Sequence, residues 1–165
     1  MESTGDKPTD EIQEVVDNGN RLRIYLDNCC YNRPFDEQSE QRVWEESQAK
    51  IKIQTRIKTY EYELASSYTL RYEYSRIKDD SKRNYINSFV EENTEVYVDE
   101  SYKDELDDIA AKIMATGVKM HDAYHVASAI AAQCDYFLTT DDRLLKYQDD
   151  RIKITTPDEF LRLEG

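Results

Sequence analysis

The segment that decides the fold is residues 22–27, with the sequence LRIYLD. Its apolar residues alternate in part with arginine and include β-branched and aromatic side chains, which predicts a first β-strand. This strand ends at an acidic residue, Asp27. A second predicted strand, residues 136–139 (YFLT), runs in the same way toward Asp141. Two strands of the chain therefore lead directly into carboxylates.

The order of the remaining elements predicts the fold class. Further strands are predicted at 95–98 and 152–154. Helices are predicted at 39–57, 66–78, 80–92, 102–114, 120–133 and 142–147, and a last helix begins after Thr156 at Pro157. Because strands alternate with helices, we expect an α/β three-layer sandwich with a central, mostly parallel sheet flanked by helices. Sites in such sheets lie at the carboxyl ends of the strands.

The length of 165 residues suggests one domain, residues 21–165, after an acidic tail at residues 1–20. The tail holds six acidic residues and one lysine, with few branched apolar side chains. Three cysteines cannot form a closed set of disulfides, which favours a reducing, cytoplasmic location. We expect neither a secretory signal nor a membrane span, because no long apolar run is present.

The net charge of −13 argues against a basic protein that coats nucleic acid. The excess is concentrated, however: residues 1–20 carry −5 and residues 91–108 carry −8, whereas residues 42–90 carry +3. The charge therefore leaves open an enzyme that reaches phosphate through a metal ion. Arg33 and the basic side chains of residues 71–83 are candidate phosphate contacts.

Tyrosine is abundant, with 13 residues in the chain and five of them between residues 60 and 74. Packing between helices and at the sheet edge is the simpler interpretation. Base stacking or a homodimer interface is the functional alternative.

Four carboxylates on separate predicted elements form the main candidate site. Each has an ordinary explanation alone, as a helix cap, a first-turn acid or a surface glutamate. Carboxylates crowded together repel one another, and divalent cations relieve that repulsion. Ligand sets made only of oxygen suit Mg²⁺ or Mn²⁺. The four residues are Asp27, Glu73, Asp122 and Asp141.

Three other chemistries are less favoured. His121 and His125 have a zinc-binding spacing, but the chain contains no third histidine. Cys29 and Cys30 have no histidine nearby in sequence to activate a nucleophile. A phosphohydrolase with an aspartate nucleophile would carry a second aspartate two residues after Asp27, where this chain has Cys29.

Four segments together resemble the PIN-domain family. They are residues 24–38 (IYLDNCCYNRPFDEQ), 67–73 (SYTLRYE), 122–129 (DAYHVASA) and 137–142 (FLTTDD). Their order and spacing match the family from about residue 22 to residue 161. The resemblance at 67–73 is the looser one, and Glu61 and Glu63 are alternatives for its acid.

The resemblance implies a metal-dependent ribonuclease fold, in which Asp27, Glu73, Asp122 and Asp141 are the catalytic, metal-binding acids. Many PIN proteins are toxins of toxin–antitoxin pairs, each neutralised by a small antitoxin protein, and many form homodimers. Substrate contacts are expected at Thr139 and Arg33. The alternative is a PIN fold that has lost activity and serves as a binding or scaffold protein.

Overall fold

The computed structural model describes residues 21–32 and 41–165. The five strands of this part are β1 (Leu22–Leu26), β2 (Tyr62–Ser67), β3 (Thr94–Val98), β4 (Tyr136–Leu138) and β5 (Lys153–Thr155). Its α-helices are α1 (Asn28–Asn32), α2 (Gln41–Lys58), α3 (Tyr68–Tyr74), α4 (Asp80–Asn93), α5 (Lys103–Met114), α6 (Met120–Ala131) and α7 (Pro157–Glu164). The predicted tail, residues 1–20, lies outside the described residues.

The strands form one sheet in the order β3-β2-β1-β4-β5, and all four strand pairs are parallel. The chain therefore moves outward from β1 to β3 and then returns to place β4 on the other side of β1. Between β1 and β4 the direction of winding reverses, and in open α/β sheets such a switch point is where ligands bind. The predicted α/β sandwich with a parallel central sheet is confirmed.

Alternating side chains of the sheet contact different helices. Tyr25 of β1 stacks on Phe137 of β4, and its ring lies 6.0 Å from that of His125 on α6. Tyr62 and Tyr136 align with Leu22 and Ile24 of β1, on the face of the sheet opposite to Tyr25, and both pack edge-on against Phe160 of α7. Because neighbouring residues of a strand point to opposite faces, the sheet is covered by helices on both sides.

Strand β2 differs from the prediction. The sequence indicated a helix over residues 66–78 and no strand before it, whereas residues 62–67 form a strand and the helix covers only Tyr68–Tyr74. Ala65, Ser66 and Ser67 have little intrinsic preference for a strand. They adopt one because β1 and β3 pair with β2 on both sides. Ser67 then caps α3, since its hydroxyl accepts the N–H of Leu70 at 3.1 Å.

Helix ends follow local chemistry more closely. Thr156 accepts the N–H of Glu159 and Pro157 occupies the first turn of α7, as predicted. Beyond the end of α5, Gly117 adopts a positive φ of 106°, which favours glycine and allows the chain to turn toward α6. Among the helices of the described residues, none has the length and apolar character needed to cross a membrane.

Candidate metal centre at the carboxyl edge of the sheet

Asp27 lies at the switch point, directly after β1, and only 7% of its surface is exposed. Its backbone N–H donates to the carbonyl of Leu138 at 2.9 Å, which fixes it against the end of β4. Its Oδ1 accepts the N–H of Asn28 at 2.8 Å, and its Oδ2 accepts the hydroxyl of Thr139 at 2.8 Å. The thiol of Cys29 donates to the same Oδ2 at 3.4 Å. The carboxylate is therefore buried, held in place and hydrogen-bonded at both oxygens.

Thr139 is fully buried and links the two predicted acids that follow strands. While its hydroxyl donates to Asp27, its Oγ1 accepts the backbone N–H of Asp141 at 3.1 Å. The structure thus places Thr139 as a bridge between Asp27 and the main chain of Asp141.

Asp141 is half-buried and caps the turn that follows it. Its Oδ1 accepts the backbone N–H groups of Arg143 at 2.8 Å and Leu144 at 3.3 Å, and a 3₁₀ turn follows at Leu144–Lys146. This is the capping role that an aspartate commonly has at this position. The bonds also fix the direction of its carboxylate.

Glu73 reaches the same edge of the sheet from α3 and meets His125 of α6. The distance between Glu73 Oε1 and His125 Nε2 is 3.1 Å. One ligand atom from each of Asp27, Glu73 and His125 can be chosen so that all three lie within 4.8 Å of one another. The structure therefore brings two of the four predicted acids together with a histidine.

His125 is 1% exposed and hydrogen-bonded at both ring nitrogens. Its Nδ1 lies 2.9 Å from the hydroxyl of Tyr25, which lies 2.7 Å from Ser67 Oγ. Burial opposes the charged imidazolium, but the hydrogen bond that its Nε2–H donates to Glu73 and the charges of Asp27 and Asp122 outweigh burial and raise the pKa of His125. Burial likewise raises the pKa of Glu73, and here the hydrogen bond and charge of His125 prevail and lower it.

Asp122 lies in the first turn of α6, one turn before His125, and its side chain is 13% exposed. Its pKa is raised, first by burial and then by the charges of Asp27 and Asp141, while His121 acts in the opposite direction. Asp122 therefore lies close enough to the two strand-end acids for their charges to act on its pKa, although it is not one of the three residues whose ligand atoms lie within 4.8 Å of one another. A bound cation would relieve the repulsion between these acids.

The other residues that the sequence offered as candidates have different partners. Glu63 forms an ion pair with Arg23 at 2.9 Å on β2, and Glu61 accepts a hydrogen bond from Thr59, so neither belongs to the cluster around Asp27. Arg33 lies outside the described residues. Within residues 71–83, Arg71 pairs with Glu91 at 3.7 Å and Arg83 pairs with Asp80 at 2.6 Å.

The sequence interpretation assigned His125 no role in the site. Its partner Glu73 is 52 residues away, so proximity in sequence gave no indication of their contact. One signal was present: His125 follows Asp122 by three residues on a helix, which places both side chains on one face. His121, by contrast, has a side chain that is 61% exposed. Among the described residues, His121 does not share a group of possible metal ligands with His125, although the two histidines have a zinc-binding spacing.

A cavity of about 420 Å³ borders this centre. It lies between the segment joining α5 to α6 and the turn after β4, and Asp122 forms part of its wall. Three exposed cations, Lys119, Arg143 and Lys146, line it as well. No ion pair within residues 21–32 and 41–165 engages these three side chains. The cavity therefore places unneutralised positive charge next to the acidic centre.

The sequence matches no protein-family model and no curated protein. The donor chemistry of the site is consequently the basis for a functional assignment. Two carboxylates and an imidazole within 4.8 Å, with Asp122 repelled by Asp27 and Asp141, form a donor set that fits a divalent cation.

Proposed function

We propose that the protein is a metal-dependent ribonuclease that hydrolyses RNA phosphodiester bonds. The observation that carries the proposal is the convergence of acidic side chains at the switch point between β1 and β4. Acids without a ligand to neutralise them would repel one another in this half-buried setting. Burial is the main cause of the raised pKa of Asp122, and the charges of Asp27 and Asp141 raise it further. The resemblance to PIN domains supports the same activity.

In this proposal the chain holds Mg²⁺ or Mn²⁺ through Asp27, Glu73, Asp122 and Asp141. The cation supplies Lewis acidity toward the phosphodiester. The residues around it do the positioning. Thr139 and the Asn28 N–H fix the two oxygens of Asp27, and the turn after β4 fixes the carboxylate of Asp141.

The cavity beside Asp122 gives the RNA backbone a place to bind. Lys119, Arg143 and Lys146 supply positive charge for phosphates, within a chain whose overall charge is −13. Neighbouring phosphates of the RNA would bind these cations while one phosphodiester faces the acidic centre. Arg33 is a further proposed substrate contact.

The proposed setting is the cytoplasm, with a toxin–antitoxin pair as the biological role. The three cysteines are free, which supports a reducing compartment. An antitoxin would act by covering the cavity or the acidic centre. For a homodimer, the exposed Tyr60 and Tyr72 are candidate contacts, whereas Tyr62 and Tyr74 of the same tyrosine-rich stretch are buried in the core.

The test is cleavage of a mixed-sequence single-stranded RNA by the full chain in Mn²⁺ or Mg²⁺, with EDTA as the metal-free control. Asp27→Asn and Asp141→Asn should abolish cleavage, and the asparagine at 141 retains an oxygen that can cap the turn. Asp142→Asn is the matched control, since Asp142 is an exposed neighbour paired with Arg42. Undiminished cleavage in both site variants would contradict the proposal. An inactive wild-type chain that still binds metal would favour the scaffold alternative.

A further inference from the structure

His125 sits beside the acidic side chains of the centre with a nitrogen donor. Its Nε2 lies 3.1 Å from Glu73 Oε1, and it belongs to the same group within 4.8 Å as Asp27. From this geometry we infer that His125 is itself a metal ligand, so that the centre takes a first-row transition ion in preference to Mg²⁺. The inference rests on the proposed metal site, but it does not depend on cleavage of RNA.

The separation of the three donors suits a single ion. Ligand atoms about 2.1 Å from one metal lie about 3 Å apart when adjacent and about 4 Å apart when opposite. The ligand atoms of Asp27, Glu73 and His125 lie within 4.8 Å of one another, so they need to move only slightly closer together to bind one ion. Asp27 and His125 are both more than nine-tenths buried, so the protein has already removed most of their surrounding water.

The contacts behind His125 are compatible with the tautomer that a metal-binding histidine needs. Nδ1 faces the Tyr25 hydroxyl at 2.9 Å, and that hydroxyl faces Ser67 Oγ at 2.7 Å. A cation bound at Nε2 would take the place of the proton that Nε2 shares with Glu73. Nδ1–H can then donate to Tyr25 and Tyr25 to Ser67, which leaves the Nε2 lone pair for the cation. Metal-binding histidines in proteins characteristically use their other nitrogen in this way, and the partner fixes both tautomer and ring orientation.

This chain of bonds is anchored in the fold. Ser67 Oγ also accepts the N–H of Leu70 as the N-terminal cap of α3, the helix that carries Glu73. Tyr25 lies in the central strand and stacks on Phe137. The positions of the imidazole and of Glu73 are therefore set by one connected network.

A nitrogen ligand changes which ion is favoured. Mg²⁺ takes oxygen ligands almost exclusively and retains much of its water, whereas imidazole suits first-row transition ions. An oxygen-only set of four acids does not discriminate strongly between Mg²⁺ and Mn²⁺. Replacing one oxygen donor by His125 shifts the balance toward Mn²⁺ and the later ions of the row.

Pulsed electron paramagnetic resonance of the full chain loaded with Mn²⁺ tests the inference, because a directly bound imidazole gives a characteristic ¹⁴N coupling. The chain has two histidines, which makes the assignment simple. We expect the coupling in the wild type and in His121→Gln, and its loss in His125→Gln. In a Mg²⁺ competition titration, His125→Gln should lower the preference for Mn²⁺ about tenfold or more.

Tyr25→Phe provides a second variant that keeps the imidazole but removes its orienting partner, and we expect weaker Mn²⁺ binding. If His125→Gln does not fold, the coupling in His121→Gln alone assigns the nitrogen to His125. A wild-type protein that binds Mn²⁺ without ¹⁴N coupling, or a coupling that survives in His125→Gln, would overturn the inference. Either result leaves RNA cleavage to be judged separately, and a chain with the coupling but without cleavage would contradict only the proposed function.

Discussion

The hydroxyl of Thr139 lies 2.8 Å from the carboxylate of Asp27 and ties the end of β4 to the end of β1. This bond crosses the switch point of the sheet, where both strands lead into acidic residues. It orients the most buried of the four candidate acids, since it fixes Oδ2 while the Asn28 N–H fixes Oδ1.

Removing this bond is expected to weaken metal binding. Thr139→Val keeps the shape of the side chain but loses the donor to Asp27, so we expect about tenfold weaker Mn²⁺ binding by calorimetry. The substitution also removes the acceptor of the Asp141 N–H, and the loss of the two hydrogen bonds should cost about 2 kcal/mol of the free energy of unfolding. Thr139→Ser, which retains the hydroxyl, is the matched control and should bind as the wild type does. Equal affinity in Thr139→Val and wild type would show that Thr139 does not position Asp27.

Reversing charge in the cavity beside Asp122 is expected to weaken RNA binding and to lower its salt dependence. The double variant Arg143→Glu/Lys146→Glu removes two cavity cations, and each lost phosphate contact should reduce the slope of log K against log salt by about 0.7 for single-stranded RNA. Fluorescence anisotropy at several salt concentrations measures both effects.

The control for that experiment is Lys52→Glu, which makes the same kind of change at an exposed position of α2 away from the cavity. Its slope should match that of the wild type. If the cavity variant has an unchanged slope, the RNA backbone does not bind there.

Lys50 is expected to limit stability. It is fully buried on α2, and its Nζ has no hydrogen-bond partner among the described residues, although it lies over the rings of Tyr31 and Phe89. Burial lowers its pKa from 10.5 to about 7, and the nearby Lys58 acts in the same direction. Lys50→Met, which has a similar length without the charge, should therefore raise the melting temperature at pH 7.

The pH dependence of that gain has a definite sign. Between the folded pKa of about 7 and the unfolded value of 10.5, the unfolded chain holds a proton on Lys50 that the folded chain does not. Wild-type stability attributable to Lys50 is therefore complete above 10.5 and is lost as the pH falls toward 7, by up to about 1.4 kcal/mol per pH unit. The advantage of Lys50→Met should shrink accordingly from pH 7 to pH 10 in denaturant titrations. An advantage that is constant or grows over this range would contradict the assignment.

The sequence predicted those features that rest on local patterns. The alternation in residues 22–27 correctly indicated β1, and Thr156 with Pro157 correctly indicated the start of α7. Strand β2 escaped prediction because Ser66 and Ser67 acquire their extended conformation from pairing with strands that are distant in sequence.

The sequence predicted part of the candidate site, namely the two acids that follow strands. Asp27 and Asp141 could be placed at one edge of the sheet, because parallel strands bring their carboxyl ends together. The contact of His125 with Glu73, and the chain of hydrogen bonds through Tyr25, arise only when α3 and α6 pack on the same face of the sheet. Such contacts join residues that share no local pattern.

The most direct measurement is a crystal structure of the wild-type chain soaked in Mn²⁺, with anomalous scattering used to locate the ion. We predict an anomalous peak at the carboxyl edge of the sheet, within bonding distance of Asp27 and Glu73, with His125 Nε2 as a third ligand. Asp27→Asn crystals soaked in the same way should lack the peak. Wild-type crystals that bind Mn²⁺ elsewhere, or that show no ion at Asp27 at saturating concentration, would contradict the proposal that these acids form a metal centre.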